Sequence, residues 1–220
     1  MAESNRLAFL ALLALAACQR PPPPEPPPAP PPAAVPEVPV GENWRAVIRS
    51  EDLDRIERLD AAWAEGLAEA RPRFASRIDA EGPLLEPWAG LPRASLPPGP
   101  YRCRLIRLGS GPEPRAFTAY PSYFCHVGVE DELLSLTKQT GSERPGGYLW
   151  TDDDRRLIFL GAMASGDDET PPAYGESSSS DLAGVAERVE DYRYRIVFPW
   201  PPGGAKIDIL ELVPYVPVHN

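Results

Sequence analysis

Between Leu53 and Ala70, apolar residues return at steps of three and four: Leu53, Ile56, Leu59, Trp63, Leu67 and Ala70. That spacing lines them along one face of an α-helix. Arg55, Arg58, Glu65 and Glu69 fall mostly on the other side. Ser50 offers an N-cap, and Glu51 and Asp52 follow in the first turn, where the helix dipole favours anions. Glu51–Arg55 and Asp54–Arg58 are i,i+4 pairs in the supportive orientation. Pro72 bounds the helix near Arg71, because the residue before a proline is pushed away from helical geometry. Such a helix has to lay its apolar face on something, and the outside of a sheet is the expected surface. From Glu81 to Pro100 the chain is rich in Pro, Gly and Leu. It reads as an irregular connector with a short helical turn around Pro87–Gly90.

Past Gly99 the period changes to strands and turns. Tyr101, Cys103 and Leu105 share one face, with Arg102 and Arg104 on the other. Phe117–Val129 is a second strand, with Tyr123, Cys125, Val127 and Val129 on one side. Leu133–Lys138, Gly147–Thr151, Arg156–Ala164, Leu182–Val189, Tyr192–Phe198 and Lys206–Val213 follow. Asp152-Asp153-Asp154 and Glu190-Asp191 sit between strands as turns, and Gly166–Ser180 reads as a mobile loop. About eight short strands at regular spacing point to a sandwich or a barrel. The expected fold is mainly β (α+β): a small antiparallel lipocalin-like β-barrel or half-barrel preceded by one amphipathic helix. Full closure would remove the edge strands.

The N-terminus changes the picture. Arg6 precedes an apolar run, Leu7–Ala17, that ends Leu15-Ala16-Ala17-Cys18. A positive flank, a short apolar region and small residues before a cut form the plan of a secretory signal. Eleven residues are too few to span a bilayer of roughly 30 Å as a helix. The arrangement resembles the signal peptide and lipobox of a bacterial lipoprotein. It assigns residues 1–17 to a removed signal and Cys18 to lipid attachment. By the same resemblance, Gln19 leans toward the outer membrane. Twelve of the thirty prolines fall between Pro21 and Pro39. Proline fixes φ and removes a donor, so neither helix nor central strand forms there. Residues 18–42 thus read as a lipidated cysteine on a Pro-rich disordered spacer, and a polyproline II stretch of nineteen residues reaches roughly 60 Å. Residues 43–98 hold the helix and connector, and 99–220 the antiparallel β domain.

Net charge is −10, and removing the signal takes one Glu and one Arg, leaving it unchanged. That balance, with no basic stripe of interleaved aromatics, excludes nucleic acid as a partner. Cys103 and Cys125 are the remaining cysteines. In an exported domain such a pair reads as a disulfide, closing a loop of about 22 residues worth about 3 kcal/mol. His126 cannot readily serve Cys125, since strand neighbours point to opposite faces.

No GxSxG, HExxH, P-loop, GxGxxG or CxxC occurs. His126 and His219 are too few and too scattered for a His-based metal or acid–base site. Asp152–Asp154 and Asp167-Asp168-Glu169 carry oxygen ligands without EF-hand spacing and read as solvated turns. Ser142 lacks a plausible His partner for a triad. Thr140–Gly147 is the loop of interest: Arg144 would fork onto a carboxylate or phosphate, with Arg102 and Arg104 adding charge from the neighbouring strand. The opposing reading pairs Arg144 with a nearby acid such as Glu143 or Asp152.

Several pieces carry a family resemblance. They are Asp60-Ala61-Ala62-Trp63, Gly99-Pro100-Tyr101-Arg102-Cys103-Arg104, Thr140-Gly141-Ser142-Glu143-Arg144-Pro145, Phe159-Leu160-Gly161, Ala183-Gly184-Val185, Phe198-Pro199-Trp200-Pro201 and Ile209-Leu210-Glu211-Leu212-Val213-Pro214. Together they resemble domain of unknown function 4893, a family of small Gram-negative bacterial lipoproteins, over most of residues 44–214. Glu143 stands where the family carries Gln. The resemblance implies an exported lipoprotein and no reaction.

The functional expectation is a non-catalytic outer-membrane lipoprotein facing the periplasm. Its barrel would bind a small or peptide-like ligand, an envelope protein or peptidoglycan, with no cofactor and no metal. The alternatives are an envelope enzyme acting on peptidoglycan or lipid, and an inhibitor of an exported protease. The anchor is directly testable: Cys18→Ala should abolish palmitate labelling and move the protein from the membrane to the soluble fraction. Unchanged membrane association would remove the assigned address.

Overall fold

The structure is a computed structural model that describes residues 34–35, 43–109, 116–165 and 170–216. The signal, Cys18, nearly all of the spacer, Asp167-Asp168-Glu169 and His219 lie outside the described residues. Three helices come first: α1 (Trp44–Val47), α2 (Ser50–Glu57) and α3 (Leu59–Ala80), then a 3-10 turn at Gly82–Leu85. Nine strands follow: β1 (Gly99–Leu108), β2 (Phe117–Ala119), β3 (Tyr123–Glu130), β4 (Leu133–Lys138), β5 (Glu143–Thr151), β6 (Arg156–Ser165), β7 (Asp181–Glu190), β8 (Arg193–Pro199) and β9 (Ile207–Pro214).

The apolar stripe forms two helices that meet at Arg58, whose φ −101° and ψ 20° leave helical space. Arg49 occupies the cap position of α2, and the Ser50 hydroxyl instead meets Glu51 at 3.4 Å. The Asp54–Arg58 pair forms at 2.9 Å, while Arg55 turns to buried Asp52 at 2.9 Å. The helix does not stop at Pro72. It runs on to Ala80, with the disturbance surfacing at Phe74 (φ −128°, ψ 20°). Proline removes one backbone bond and kinks the chain. Tertiary packing overrides that loss: Phe74 stacks on Phe117 at 5.7 Å, and Ile78 is buried against the same outer wall. The short helical turn of the connector lies at Gly82–Leu85, ahead of Pro87.

The strands wind up and down, each pairing antiparallel with the next, and β1 pairs with β9 to close an eight-stranded barrel. The strand expected over Phe117–Val129 is broken into β2 and β3, which share the other edge of β1. β3 takes Gly99–Cys103 and β2 takes Ile106–Leu108. The turn between β7 and β8 falls at Asp191-Tyr192, with Tyr192 at φ 58°. Most of the loop 170–180 is fixed. Buried Tyr174 donates to Asp52 at 2.6 Å and accepts from the Arg49 amide at 3.0 Å, because the aromatic ring needs cover that the helices supply.

Alternation along the strands sorts the core into an inside and an outside. Tyr101, Cys103, Leu136, Leu149, Phe159, Ile196 and Leu212 fill the interior. Ile106, Leu108, Val197, Ile207 and Ile209 face outward, under Ala62, Trp63, Ala70 and Ile78 of α3. Tyr148, Trp150, Ile158 and Val185 lie under Trp44 and Ile56. The Cys103–Cys125 disulfide forms inside the barrel, with Cα atoms 5.8 Å apart.

One end of the barrel is plugged by the connector. Ala94 and Leu96 are buried in the interior cluster. The Leu91 amide donates to Arg188 O at 2.7 Å, the Ala94 amide to Asp154 O at 3.2 Å, and the Tyr101 hydroxyl to Pro97 O at 2.7 Å. The wall opposite is pinched by facing glycines. Gly147 and Gly161 are register partners, and a Cβ on Gly161 would stand 2.2 Å from Gly146 O. Gly161→Ala should therefore destabilise the protein by about 2–3 kcal/mol through forced strand separation. Chemical denaturation would read this, and an unchanged midpoint would refute the close approach.

Candidate functional site

The inward positions of β1 run Tyr101, Cys103, Leu105, Arg107. Parity that buries the cysteine also carries an arginine to the far, unplugged end of the barrel. There a cavity of about 230 Å³ opens. Its walls are Leu105 and Arg107 from β1, Lys138 from β4, Glu143 and Pro145 from β5, Met163 from β6, Leu182 from β7, Phe198 from β8, and Asp208 and Leu210 from β9. Ser179, Ser180, Pro201, Pro202 and Gly203 form its lip. Apolar walls with a few convergent polar groups are the usual make-up of a small-molecule site.

Arg107 and Asp208 face each other in the β1–β9 register. Arg107 Nε donates to Asp208 Oδ1 at 2.8 Å and Nη2 to Oδ2 at 2.7 Å, a forked pair. Donating to Asp208 holds the pKa of the Arg107 guanidinium above its ordinary value. Burial pushes the Asp208 carboxyl up while Arg107 pulls it down, and burial is the larger effect. The two shifts oppose each other in sense. Two short parallel bonds decide for the charged pair.

Lys138 closes β4 with its side chain turned into the mouth. Its Nζ donates to Glu143 O at 2.5 Å and stands 4.1 Å from the Tyr123 ring centroid. Burial lowers its pKa, with Glu143 acting in the opposite direction and Arg144 reinforcing the fall. Gly141 (φ 92°) is required beside it, since a Cβ there would lie 3.1 Å from Nζ and 3.0 Å from the Tyr123 ring.

The arginines expected to bind ligand are not brought together. Arg104 lies on the outer wall of β1, where it donates to Glu211 at 2.7 Å and to Glu81 at 2.6 and 3.0 Å. It fastens the end of α3 to the barrel beside Arg193, which also holds Glu211. Arg102 is exposed on the same wall. Arg144 sits on β5, opposite Ala164 in the register, and donates to Gly141 O at 3.1 Å. Asp152 accepts from Trp44 and Arg156, and Asp153 from the amides of Arg155 and Arg156, so that run is a hydrogen-bonded turn.

Two features of the sequence mark the cavity. Arg107 follows Cys103 and Leu105 on one face, and Asp208 interrupts the apolar run Ile207–Leu210. A charge at an inward strand position is the signal. Their joining across β1 and β9 depends on closure, which local pattern does not specify.

A closed antiparallel barrel with helices on its outside and one lined, open end defines the class. The family model described as Domain of unknown function (DUF4893) matches residues 44–212, and the chain belongs to that family. No curated protein and no solved structure matches it.

Removing one member of the buried pair leaves the other charge unpaired in the interior. Arg107→Met or Asp208→Leu alone should lose about 3–5 kcal/mol in urea denaturation, while the double variant should lie near the parent. A double variant as unstable as either single would show that the pair is not acting as a unit.

Proposed function

We propose that the chain is a membrane-anchored envelope lipoprotein whose barrel holds a small ligand at its open end, without catalysing a reaction on it. The observation that carries this reading is the cavity: lined by apolar side chains on most sides and open at the end of the barrel away from the connector. Asp208, the most enclosed acid of the lining, is engaged by both prongs of Arg107 and is poorly placed for proton transfer. At about 230 Å³ the space lies below the range of drug-sized sites, roughly 300–1,000 Å³, which favours a compact ligand over a diacyl lipid. The anchor reading is supported by the lipobox at Cys18 and by an interior disulfide, which suits an oxidising compartment. The Pro-rich spacer would hold the barrel off the membrane.

Ligand-observed NMR with a panel of short-chain alcohols, amines and carboxylates tests this. The parent should bind at least one class. Met163→Trp, which fills the cavity from β6, should abolish that binding with little change in melting temperature. Binding that survives the substitution would place the ligand elsewhere and overturn the reading.

A further inference from the structure

The lining has a charge of its own. Arg107, Lys138 and Asp208 are 7 %, 8 % and 5 % exposed, whereas Glu143 reaches solvent at the rim. Arg107 and Asp208 cancel. Lys138 is left as a buried cation. Among the described residues, no carboxylate lies within ion-pair distance of its Nζ, which holds a backbone carbonyl and a ring face. The enclosed part of the cavity therefore has an excess of one positive charge. A buried ammonium without an anion is costly, and a carboxylate brought to it relieves that cost. Asp208 occupies Nε and Nη2 of Arg107, so that guanidinium is already answered by an acid.

We propose that the cavity binds a single-chain alkyl monocarboxylate, with its head on Lys138 Nζ and its tail along Leu105, Met163, Leu182, Phe198 and Leu210. This rests on the small-ligand reading above. One negative charge matches the excess. An alkyl phosphate carries about −1.5 to −2 and matches it less well. Size limits the tail: a cavity of about 230 Å³ takes one short alkyl chain and has no room for two.

The test uses the full chain carrying Cys18→Ser, purified without detergent, titrated calorimetrically with octanoate, octan-1-ol and octyl phosphate. Octanoate should bind about tenfold more tightly than octanol, the usual gain from a hydrogen bond to a charged group. Lys138→Met should bring octanoate to the level of octanol. Lysine occurs only at 138 and 206, so ¹³C-lysine labelling gives two side-chain signals in a protein with an unaltered cavity. Octanoate should shift the Lys138 signal and leave that of Lys206, and this readout stands even if Lys138→Met fails to fold. Equal affinity for octanol and octanoate, or an unmoved Lys138 signal, overturns the charge assignment and spares the cavity. Tighter binding of octyl phosphate overturns the carboxylate. Absence of binding by all three overturns both this inference and the small-ligand reading.

Discussion

The antiparallel pairing of β1 with β9, from Tyr101 opposite Pro214 to Leu108 opposite Ile207, is the constraint on which the rest depends. Without it the sheet has two long edges and no interior. With it, every strand position becomes either inward or outward, and a side chain's environment follows from parity. Cys103 and Arg107 face the same enclosed space for that reason. The same pairing sets Arg107 against Asp208 and Arg104 against Glu211, one pair inside and one outside, on alternate positions of one ladder. The inner pair shapes the cavity, and the outer pair holds the helical cover.

That cover is fastened by arginines. Arg195 is fully buried on the outer wall of β8, where it donates to the carbonyls of Pro83, Leu84, Glu86 and Pro87 and pairs with Glu187. Its guanidinium stands 5.0 Å from the Trp63 ring centroid. A planar fork with five donors can hold four carbonyls and a carboxylate together, which is more than the three donors of an ammonium supply. The consequence reaches the barrel interior. Once 83–87 is tied down outside, the following residues are aimed across the end of the barrel, and Ala94 and Leu96 enter it. Closure at one end thus accompanies the fastening of 83–87 by Arg195 on the outer face, and the other end is left open.

Much of this architecture was legible in the residues. The stripe from Leu53 to Ala70, the alternation around Cys103 and Cys125 and the regular strand spacing point to a barrel or half-barrel with one amphipathic helix before it and a Cys103–Cys125 bridge. What escaped reading depended on tertiary packing. Pro72 marked an end that Phe74 and Ile78 carry past it by packing on the wall. Tyr120–Ser122 broke one expected strand into two because β1 has only one edge to offer them both. Arg144 stands out in the sequence for its loop of Gly, Ser and Pro and Arg102 and Arg104 for their shared strand face, and that face is the outward one of β1. The charged groups of the cavity were the ones that broke an apolar pattern, Arg107 and Asp208, together with Lys138 at a strand end.

The barrel therefore separates two electrostatic environments. The chain as a whole carries −10, while the enclosed lining has one cation in excess. At physiological salt the field of surface charges fades within about 8 Å, so the acidic exterior does little to hold a small anion away from the mouth. On the proposed reading, selection would be made by contact within the cavity, where screening is weak and water is displaced. A slim monoanion would meet a buried lysine that, among the described residues, has no carboxylate within ion-pair distance.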